Sequence, residues 1–197
     1  VQHFTVNRPG FVWDAKIRMA PLMSMRVRDS YIAGRAGMLA RISALVPVVD
    51  QEGTPDLNSG ALHRYFLEST WFPTALLPSQ GVRWESIDES SARATFSDSG
   101  ITLSMDVHFS EQGEIVRVEA ERMGDVNGKG VPTPFVGHVH EYKRIHGMMI
   151  PVTGEVEWIL PEGRLNFWRG RITAAEYDFA RRPPRPASAS IAPESAS

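Results

Sequence analysis

The sequence contains no cysteine. Disulfide bonds, thiolate metal sites and cysteine nucleophiles are therefore excluded. No apolar run approaches the ~18 residues that a membrane span needs, so we expect no span. The first residues, beginning at Val1, lack the charged segment and following apolar stretch of a signal peptide. The expected compartment is the cytoplasm, although a start without methionine is also consistent with a trimmed piece of a longer protein.

An excess of charge of one sign is also missing. The chain has 21 Lys and Arg against 23 Asp and Glu, and the cations are scattered, so we expect no nucleic-acid partner. Glycine-rich phosphate loops, a Gly-x-Ser-x-Gly elbow and a glycosidase-like carboxylate pair are not found. What remains is an ordinary balance of 42% apolar and 22% charged residues over 197 positions. Such a chain is typical of a soluble globular protein that buries its core without staples.

Apolar and polar residues alternate along most of the sequence, which predicts half-buried strands. The clearest case is 101–109, where Ile101, Leu103, Met105, Val107 and Phe109 fall on one face and are predicted to be buried together. An irregular lead is expected at 1–10 and a loop at 124–134. The predicted strands are 11–19, 23–33, 38–49, 82–87, 91–97, 101–109, 115–122, 135–144, 148–160 and 164–179.

The period changes between residues 54 and 78. Thr54, Pro55 and Asp56 form a helix start, with a hydroxyl N-cap, a proline in the first position and an acid in the first turn. Apolar residues then recur at helical spacing up to Thr70. Pro73 ends the helix or begins a short second turn over 74–77.

These elements predict a mainly β (α+β) fold. A large antiparallel sheet must close or have one face covered, and the helix is the only available cover. We therefore expect a strongly curved antiparallel sheet, a half-barrel of about ten strands, covering one principal helix. Residues 1–180 would form a single domain with the helical insert at 54–78, followed by a disordered Pro/Ala/Ser-rich tail at 181–197.

Several motifs occur in an order that resembles a bacterial family of domains of unknown function. The resemblance covers roughly 11–172, and it implies no activity. The residues that carry it are Trp13-Asp14-Ala15, Asp29-Ser30-Tyr31, Arg64-Tyr65-Phe66-Leu67-Glu68, Trp71, Pro73, Ala75-Leu76-Leu77-Pro78, Trp84-Glu85, Ile87-Asp88, Gly147, Ile150-Pro151 and Trp158.

The strand pattern around Tyr142, Gly147 and Pro151 is more distantly similar to that of periplasmic lipoprotein carriers. Those proteins are curved antiparallel sheets that cup helices around an apolar cavity. The same scaffold also hosts a pigment-biosynthesis enzyme, so the resemblance implies either a carrier or an enzyme.

Two histidines, His138 and His140, share one face of a predicted strand because residues i and i+2 project the same way. Tyr142 would join them there. Two imidazoles are too few for a specific metal signal, so we expect no metal and no cofactor. The alternatives are a ligand-facing or acid–base role and plain surface histidines.

Arg64 and Glu68 are i, i+4 neighbours on the predicted helix and can pair. A surface ion pair would have little consequence. If the helix lies inside the sheet, the pair is partly buried and Glu68 becomes a candidate base beside a cavity. Tryptophans and tyrosines are further candidates to line such a cavity or to fill the core. They are Trp13, Tyr65, Trp71, Trp84, Tyr142, Trp158 and Trp168.

The function expected from the sequence is binding of a small, largely apolar molecule between the curved sheet and the helix. The expected ligand-binding residues are Arg64, Tyr65, Trp71, Trp84 and Tyr142. The alternative is a cofactor-independent enzyme of secondary metabolism in which His138, His140 and Glu68 perform acid–base chemistry. The oligomeric state is left open.

Overall fold

A computed structural model of the chain describes residues 1–21, 23–42, 46–126 and 129–179. Two antiparallel sheets flank one helical segment, and both sheets are meanders in which each strand pairs with its neighbours along the chain. The first sheet has five strands: β1 Gln2–Thr5, β2 Gly10–Ala20, β3 Met23–Ile32, β4 Arg35–Ile42 and β5 Val46–Glu52.

The helical segment begins at Pro55, as its capping residues predict. The Thr54 hydroxyl accepts a hydrogen bond from the Leu57 amide at 3.2 Å, which satisfies one free N–H of the first turn. Helix α1 spans Pro55–Leu67. Three 3₁₀ turns follow at Glu68–Trp71, Pro73–Leu76 and Pro78–Gln80, and a proline begins the second and the third of them.

The second sheet contains seven strands, and β10 and β11 are its longest neighbours. Its bounds are β6 Arg83–Ser86, β7 Ser91–Asp98, β8 Ile101–Phe109, β9 Ile115–Val126, β10 Lys129–Ile145, β11 Met148–Leu160 and β12 Gly163–Arg171. Polar residues on the outward positions pair across the strands, as in the ion pair of Arg93 with Asp106 at 2.7 Å. The outer face is therefore a solvent face.

The helix lies between the two sheets and contributes to one continuous core. It contacts β2, β3 and β4 on one side and β8 and β9 on the other. Ala61, Leu62, Tyr65 and Phe66 form one wide buried stripe on the helix, and Leu67 is buried at its end outside that stripe. The core also takes residues from both sheets, and its largest fully buried side chains are Phe11, Tyr31, Leu62, Tyr65, Phe66 and Met105.

The predicted mainly β fold with one principal helix is confirmed. The strands, twelve in the described residues, are divided between two sheets, with the helix between them. The row from Ile101 to Phe109 is confirmed at its centre, because Leu103, Met105 and Val107 are buried in the core, whereas Ile101 and Phe109 are partly buried and pack against it.

Three predicted boundaries are wrong. Residues 1–10 include strand β1, which pairs with β2. The predicted strand 38–49 is two strands, β4 and β5, because apolar alternation runs through both and the sequence between them contains no glycine or asparagine. The last predicted strand, 164–179, ends at Arg171 in the structure.

The predicted loop 124–134 consists largely of strand. Val131 pairs with Gly124 and Pro132 with Met123, so β9 and β10 form one long hairpin. Proline cannot donate to a ladder and is therefore disfavoured inside a strand with two neighbours. Pairing of β10 with β11 begins only at Phe135, so Pro132 and Pro134 lie where β10 has one neighbour and a missing N–H costs little.

No helix of the described ranges is long and apolar enough to cross a membrane. The predicted disordered tail at 181–197 lies outside the described residues.

Candidate functional site

A cluster of charged side chains lies where the helix meets both sheets. Arg64 of α1 donates to Oδ2 of Asp29 on β3 at 2.6 Å and to Oε1 of Glu68 at 2.9 Å. Its guanidinium also lies 4.8 Å from the centroid of the Trp13 ring, at cation–π distance. Burial alone would lower the pKa of Arg64, but the Glu68 and Asp29 carboxylates more than offset it and raise that pKa. Arg64 is therefore a fixed cation.

Glu68 is the acid of this cluster that lies on the helical segment, four residues after Arg64. Burial raises the pKa of Glu68, although Arg64 and a 2.6 Å hydrogen bond from Gln2 act in the opposite direction. Its side chain keeps a fifth of its surface exposed. Glu68 is thus a carboxyl group that takes up a proton more readily than an exposed glutamate does.

Arg122 on β9 is the second cation of the cluster. Burial lowers the pKa of Arg122 to about 10, and the charges of Glu68, Arg64 and Asp29 also act on it. Its Nη2 donates to the Gly60 carbonyl at 3.1 Å, whereas its buried Nε has no partner among the described residues. A guanidinium has five N–H donors. Arg122 therefore keeps donor capacity that the described chain does not use.

His63, on the same helix, is affected by Arg122. Burial, with a smaller contribution from the positive charge of Arg122, lowers the pKa of His63 to about 4. The imidazole is consequently neutral at physiological pH.

Aromatic rings extend from Arg122 across the second sheet. The Arg122 guanidinium lies 4.7 Å from the Phe135 centroid and 5.8 Å from the Trp158 centroid. Trp158 in turn stacks on Phe167 of the edge strand at 6.1 Å, and Phe167 is 51% exposed. A Cβ at Gly124 would lie 3.3 Å from the Trp158 ring. The absence of a side chain at Gly124 therefore lets the Trp158 ring lie close to the β9 backbone. We call Phe135, Trp158 and Phe167 the aromatic tier. It joins the partly buried cation of Arg122 to an accessible apolar surface.

The helix leaves room beside this tier at Gly60. A Cβ built on Gly60 meets no described atom within 4 Å outside its own helix backbone and chain neighbours. The same glycine accepts a hydrogen bond from Arg122 through its carbonyl, so the space opens at the residue that holds the Arg122 guanidinium.

We define the Arg122 site as Arg122, Phe135, Trp158, Phe167 and the space at Gly60. Two open depressions of the described surface lie elsewhere. One of about 830 Å³ is at the β2–β3 hairpin, and one of about 630 Å³ is on the outer face beside His140.

The other expected ligand-binding residues are distributed over several contacts. Tyr65 is buried in the core, and its hydroxyl donates to the Thr5 carbonyl at 3.0 Å. The Trp84 indole donates to the Leu76 carbonyl at 2.9 Å, and Tyr142 donates to the Ile115 carbonyl at 2.8 Å. Trp71 packs on Trp168 at 6.0 Å. Of the predicted residues, the structure brings together Arg64 and Glu68.

His138 and His140 lie on the outer face of the second sheet. They alternate with the buried residues Phe135, Gly137 and Val139, and His138 Nε2 lies 3.3 Å from Glu157. Glu141 has a φ of 57°, so the strand is not regular between His140 and Tyr142. Regular alternation was the basis for placing Tyr142 on the histidine face. The structure does not group these histidines with Glu68.

Asp29 and Arg122 belong to the cluster but were not among the predicted site residues. Both carried a signal, since each is a charge at an inward position of an apolar alternation. Asp29 lies between Val27 and Tyr31, and Arg122 follows Val118 and Ala120 at spacings of two. A charge in such a register needs a partner, and this requirement predicts a buried ionic contact.

The chain belongs to a family of unknown function, DUF6920, whose family model matches residues 1–177. Comparison with curated proteins and with solved structures gives no match.

Proposed function

We propose, for this member of a family without an assigned activity, that the chain binds a small, largely apolar molecule with one oxygen acceptor as its head group. The head, a carbonyl or a carboxylate, pairs with Arg122, and the apolar body lies along the aromatic tier. The lipoprotein-carrier resemblance of the sequence points to the same class of ligand, since such scaffolds hold apolar molecules between sheet and helix.

The single observation that supports this proposal is the underused guanidinium of Arg122. A half-buried cation is stable only when its donors are satisfied or solvated. In the described chain one donor bonds to Gly60, and Nε is buried without a partner. An acceptor head would satisfy these donors, and charge-assisted hydrogen bonds of this kind are the strong ones.

The exposed end of the tier fits the other half of the ligand. Phe167 is half exposed on edge strand β12, next to Leu165, which is 50% exposed. Apolar surface of this kind favours contact with an apolar body. Arg64 contributes by holding Asp29 and Glu68, and a proton on Glu68 would offset the charge of a carboxylate ligand.

The alternative enzymatic role depends on Glu68. A general acid or base must lie within hydrogen-bond reach of the reacting group. With His138 and His140 on the outer face, the raised pKa of Glu68 is the one observation of the described site that favours acid–base chemistry.

Calorimetric titration of the full chain with dodecanoate and with its methyl ester tests the proposal. We expect binding to be at least tenfold weaker in Arg122→Gln, because a hydrogen bond to a charged group is lost. Arg93→Gln, which alters an exposed arginine of the outer face, is the matched control. Native mass spectrometry of the purified protein reports what co-purifies.

Phe167→Ser provides a second variant that leaves the charged cluster intact. Phe167→Ser should weaken the binding of dodecanoate and of its methyl ester equally. Arg122→Gln should weaken the binding of the two probes to different extents. If both variants bind as tightly as the wild type, or if neither probe binds and nothing co-purifies, the proposed site is wrong. Unchanged near-ultraviolet circular dichroism would show that each variant is folded.

A further inference from the structure

The five-stranded sheet carries apolar surface beyond the part that the helix covers. Ala15, Val27 and Ala40 form a cross-strand row, of which Val27 and Ala40 are buried. Two residues further along each strand, the next row on the same face is only partly covered. Its members, in register across four strands, are Ile17, Met25, Ile42 and Val46.

This exposed face continues to the end of the β2–β3 hairpin. Met19 is 53% exposed and Met23 is 41% exposed, and Ala20 pairs with Met23. Exposed methionines of this kind form an adaptable apolar surface. The hairpin therefore ends in an apolar tip.

Cations occupy the opposite face of the same strands. Lys16 on β2 lies opposite Arg26 on β3, and Arg26 lies opposite Arg41 on β4. This register places three positive side chains next to one another. Arg18 lies one step nearer the tip. None of these four makes an ion pair with an acid of the described residues, whereas Arg28, one step further from the tip, pairs with Asp14 at 2.8 Å. Unpaired like charges in adjacent strands repel one another in the free protein.

We infer that this hairpin docks on an anionic lipid bilayer. The tip residues Met19 and Met23 enter the interface, and Lys16, Arg18, Arg26 and Arg41 contact the phosphates. At ~3.3 Å per residue, Arg18 and Lys16 lie roughly 7 and 13 Å along the strand from Ala20. Apolar groups of interfacial proteins enter roughly 5–10 Å, and long cationic side chains reach from there to the headgroups.

Charge decides between a bilayer and a second copy of the chain as the occupant. A second copy would present the same four cations, and their repulsion opposes such a contact. The net charge of the chain is −2, so the attraction to anionic lipid is local to this hairpin. Each cation near an anionic leaflet adds to the attraction, and salt screens it. Apolar tip and cationic flank together match a lipid surface.

Flotation of the full chain with vesicles tests this inference. We compare phosphatidylcholine vesicles with vesicles that contain phosphatidylglycerol. We expect flotation with the anionic vesicles at low salt and loss of it in ~1 M salt, where the screening length is about 3 Å. The triple variant Lys16→Glu/Arg26→Glu/Arg41→Glu should bind at least tenfold more weakly. Its matched control, with the same charge change at exposed cations elsewhere, is Arg8→Glu/Arg83→Glu/Arg144→Glu.

The apolar component needs a separate variant. Met19→Ser/Met23→Ser should also weaken flotation at least tenfold, and the emission of Met19→Trp should shift to the blue on anionic vesicles. Equal flotation of the wild type and the cationic-face variant would overturn the inference. Failure of the wild type to float with anionic vesicles at low salt would also overturn it. A dimer in light scattering that becomes a monomer in Met19→Ser/Met23→Ser would do the same. The last result would assign the tip to a second copy.

Discussion

The hydroxyl of Tyr31 on β3 donates a 2.6 Å hydrogen bond to Oδ2 of Asp98 at the end of β7. Tyr31 has no exposed surface, and its ring is part of the common core. This bond therefore connects the two sheets directly, at a point where the helix does not lie between them. Burial raises the pKa of Tyr31, and its bond to the Asp98 carboxylate raises it further.

Tyr31→Phe should lower the free energy of unfolding by about 1.5–3 kcal/mol, because a hydrogen bond to a charged group is lost while the ring volume is kept. Urea unfolding of the two proteins measures the difference. Tyr177→Phe is a suitable control, since its hydroxyl bonds to a backbone carbonyl at 2.8 Å. A loss for Tyr31→Phe no larger than that for the control would contradict a special role for the connection.

Arg64→Ala should cost about 2–4 kcal/mol of unfolding free energy. The substitution leaves Asp29, with 9% side-chain exposure, and Glu68 without their cation. Removing one partner of a buried ion pair is strongly destabilising because it leaves a buried charge without a partner. Arg28→Ala removes an exposed partner of Asp14 and should cost at most about 1 kcal/mol. Chemical denaturation of both variants checks the contrast, and similar costs would show that the Arg64 cluster is effectively solvated.

Leu103→Ala tests the predicted inward row of β8. Leu103 is buried in the common core, so the variant should lose about 2–5 kcal/mol through lost burial and a residual cavity. Leu165→Ala, at a half-exposed position of β12, should lose far less. A loss for Leu103→Ala below about 0.5 kcal/mol in equilibrium unfolding would place that side chain in solvent.

The sequence predicts the strands where alternation is strict and the turns contain glycine or aspartate, as in 91–109. It also predicts the helix start, because Thr54, Pro55 and Asp56 each have a local physical role. Alternation alone does not separate two strands whose connecting sequence lacks such residues, so it predicts one strand where the structure has β4 and β5. It also cannot show that the helix has a sheet on each side, because that depends on long-range packing.

For the site residues, too, contacts that are local in sequence could be predicted and long-range contacts could not. Arg64 and Glu68 were predictable as neighbours on one helix, since i and i+4 side chains are adjacent. Their contacts with Asp29 and Gln2 join segments that are distant in sequence, and no local pattern encodes such contacts. The outer position of His138 and His140 could not be derived either. Alternation defines two faces of a strand and does not say which one meets the core.

His63 should make the protein less stable at mildly acidic pH. Its pKa is lowered in the folded chain to about 4 from the ordinary 6.5, so the unfolded state binds the proton more readily. The corresponding stability is complete above pH 6.5 and is lost as the pH falls towards 4. At pH 5 the loss is about 2 kcal/mol. Urea unfolding of the wild type and of His63→Gln, each at pH 7.5 and at pH 5, measures this loss. A difference between the two proteins that does not change with pH would contradict the prediction.

Gly60→Ala should stabilise the protein and weaken ligand binding. Glycine inside a helix costs about 1 kcal/mol relative to alanine, and a Cβ here meets no described atom within 4 Å. The expected gain in unfolding free energy is therefore about 0.5–1 kcal/mol. If the ligand of the Arg122 site occupies this space, the added methyl group displaces it, and dodecanoate should bind at least several-fold more weakly. Gly137→Ala is the contrasting variant, because its Cβ would lie 3.0 Å from Val118 and should destabilise the sheet. Stabilisation by Gly60→Ala with unchanged dodecanoate affinity would show that the ligand does not use the space beside the helix.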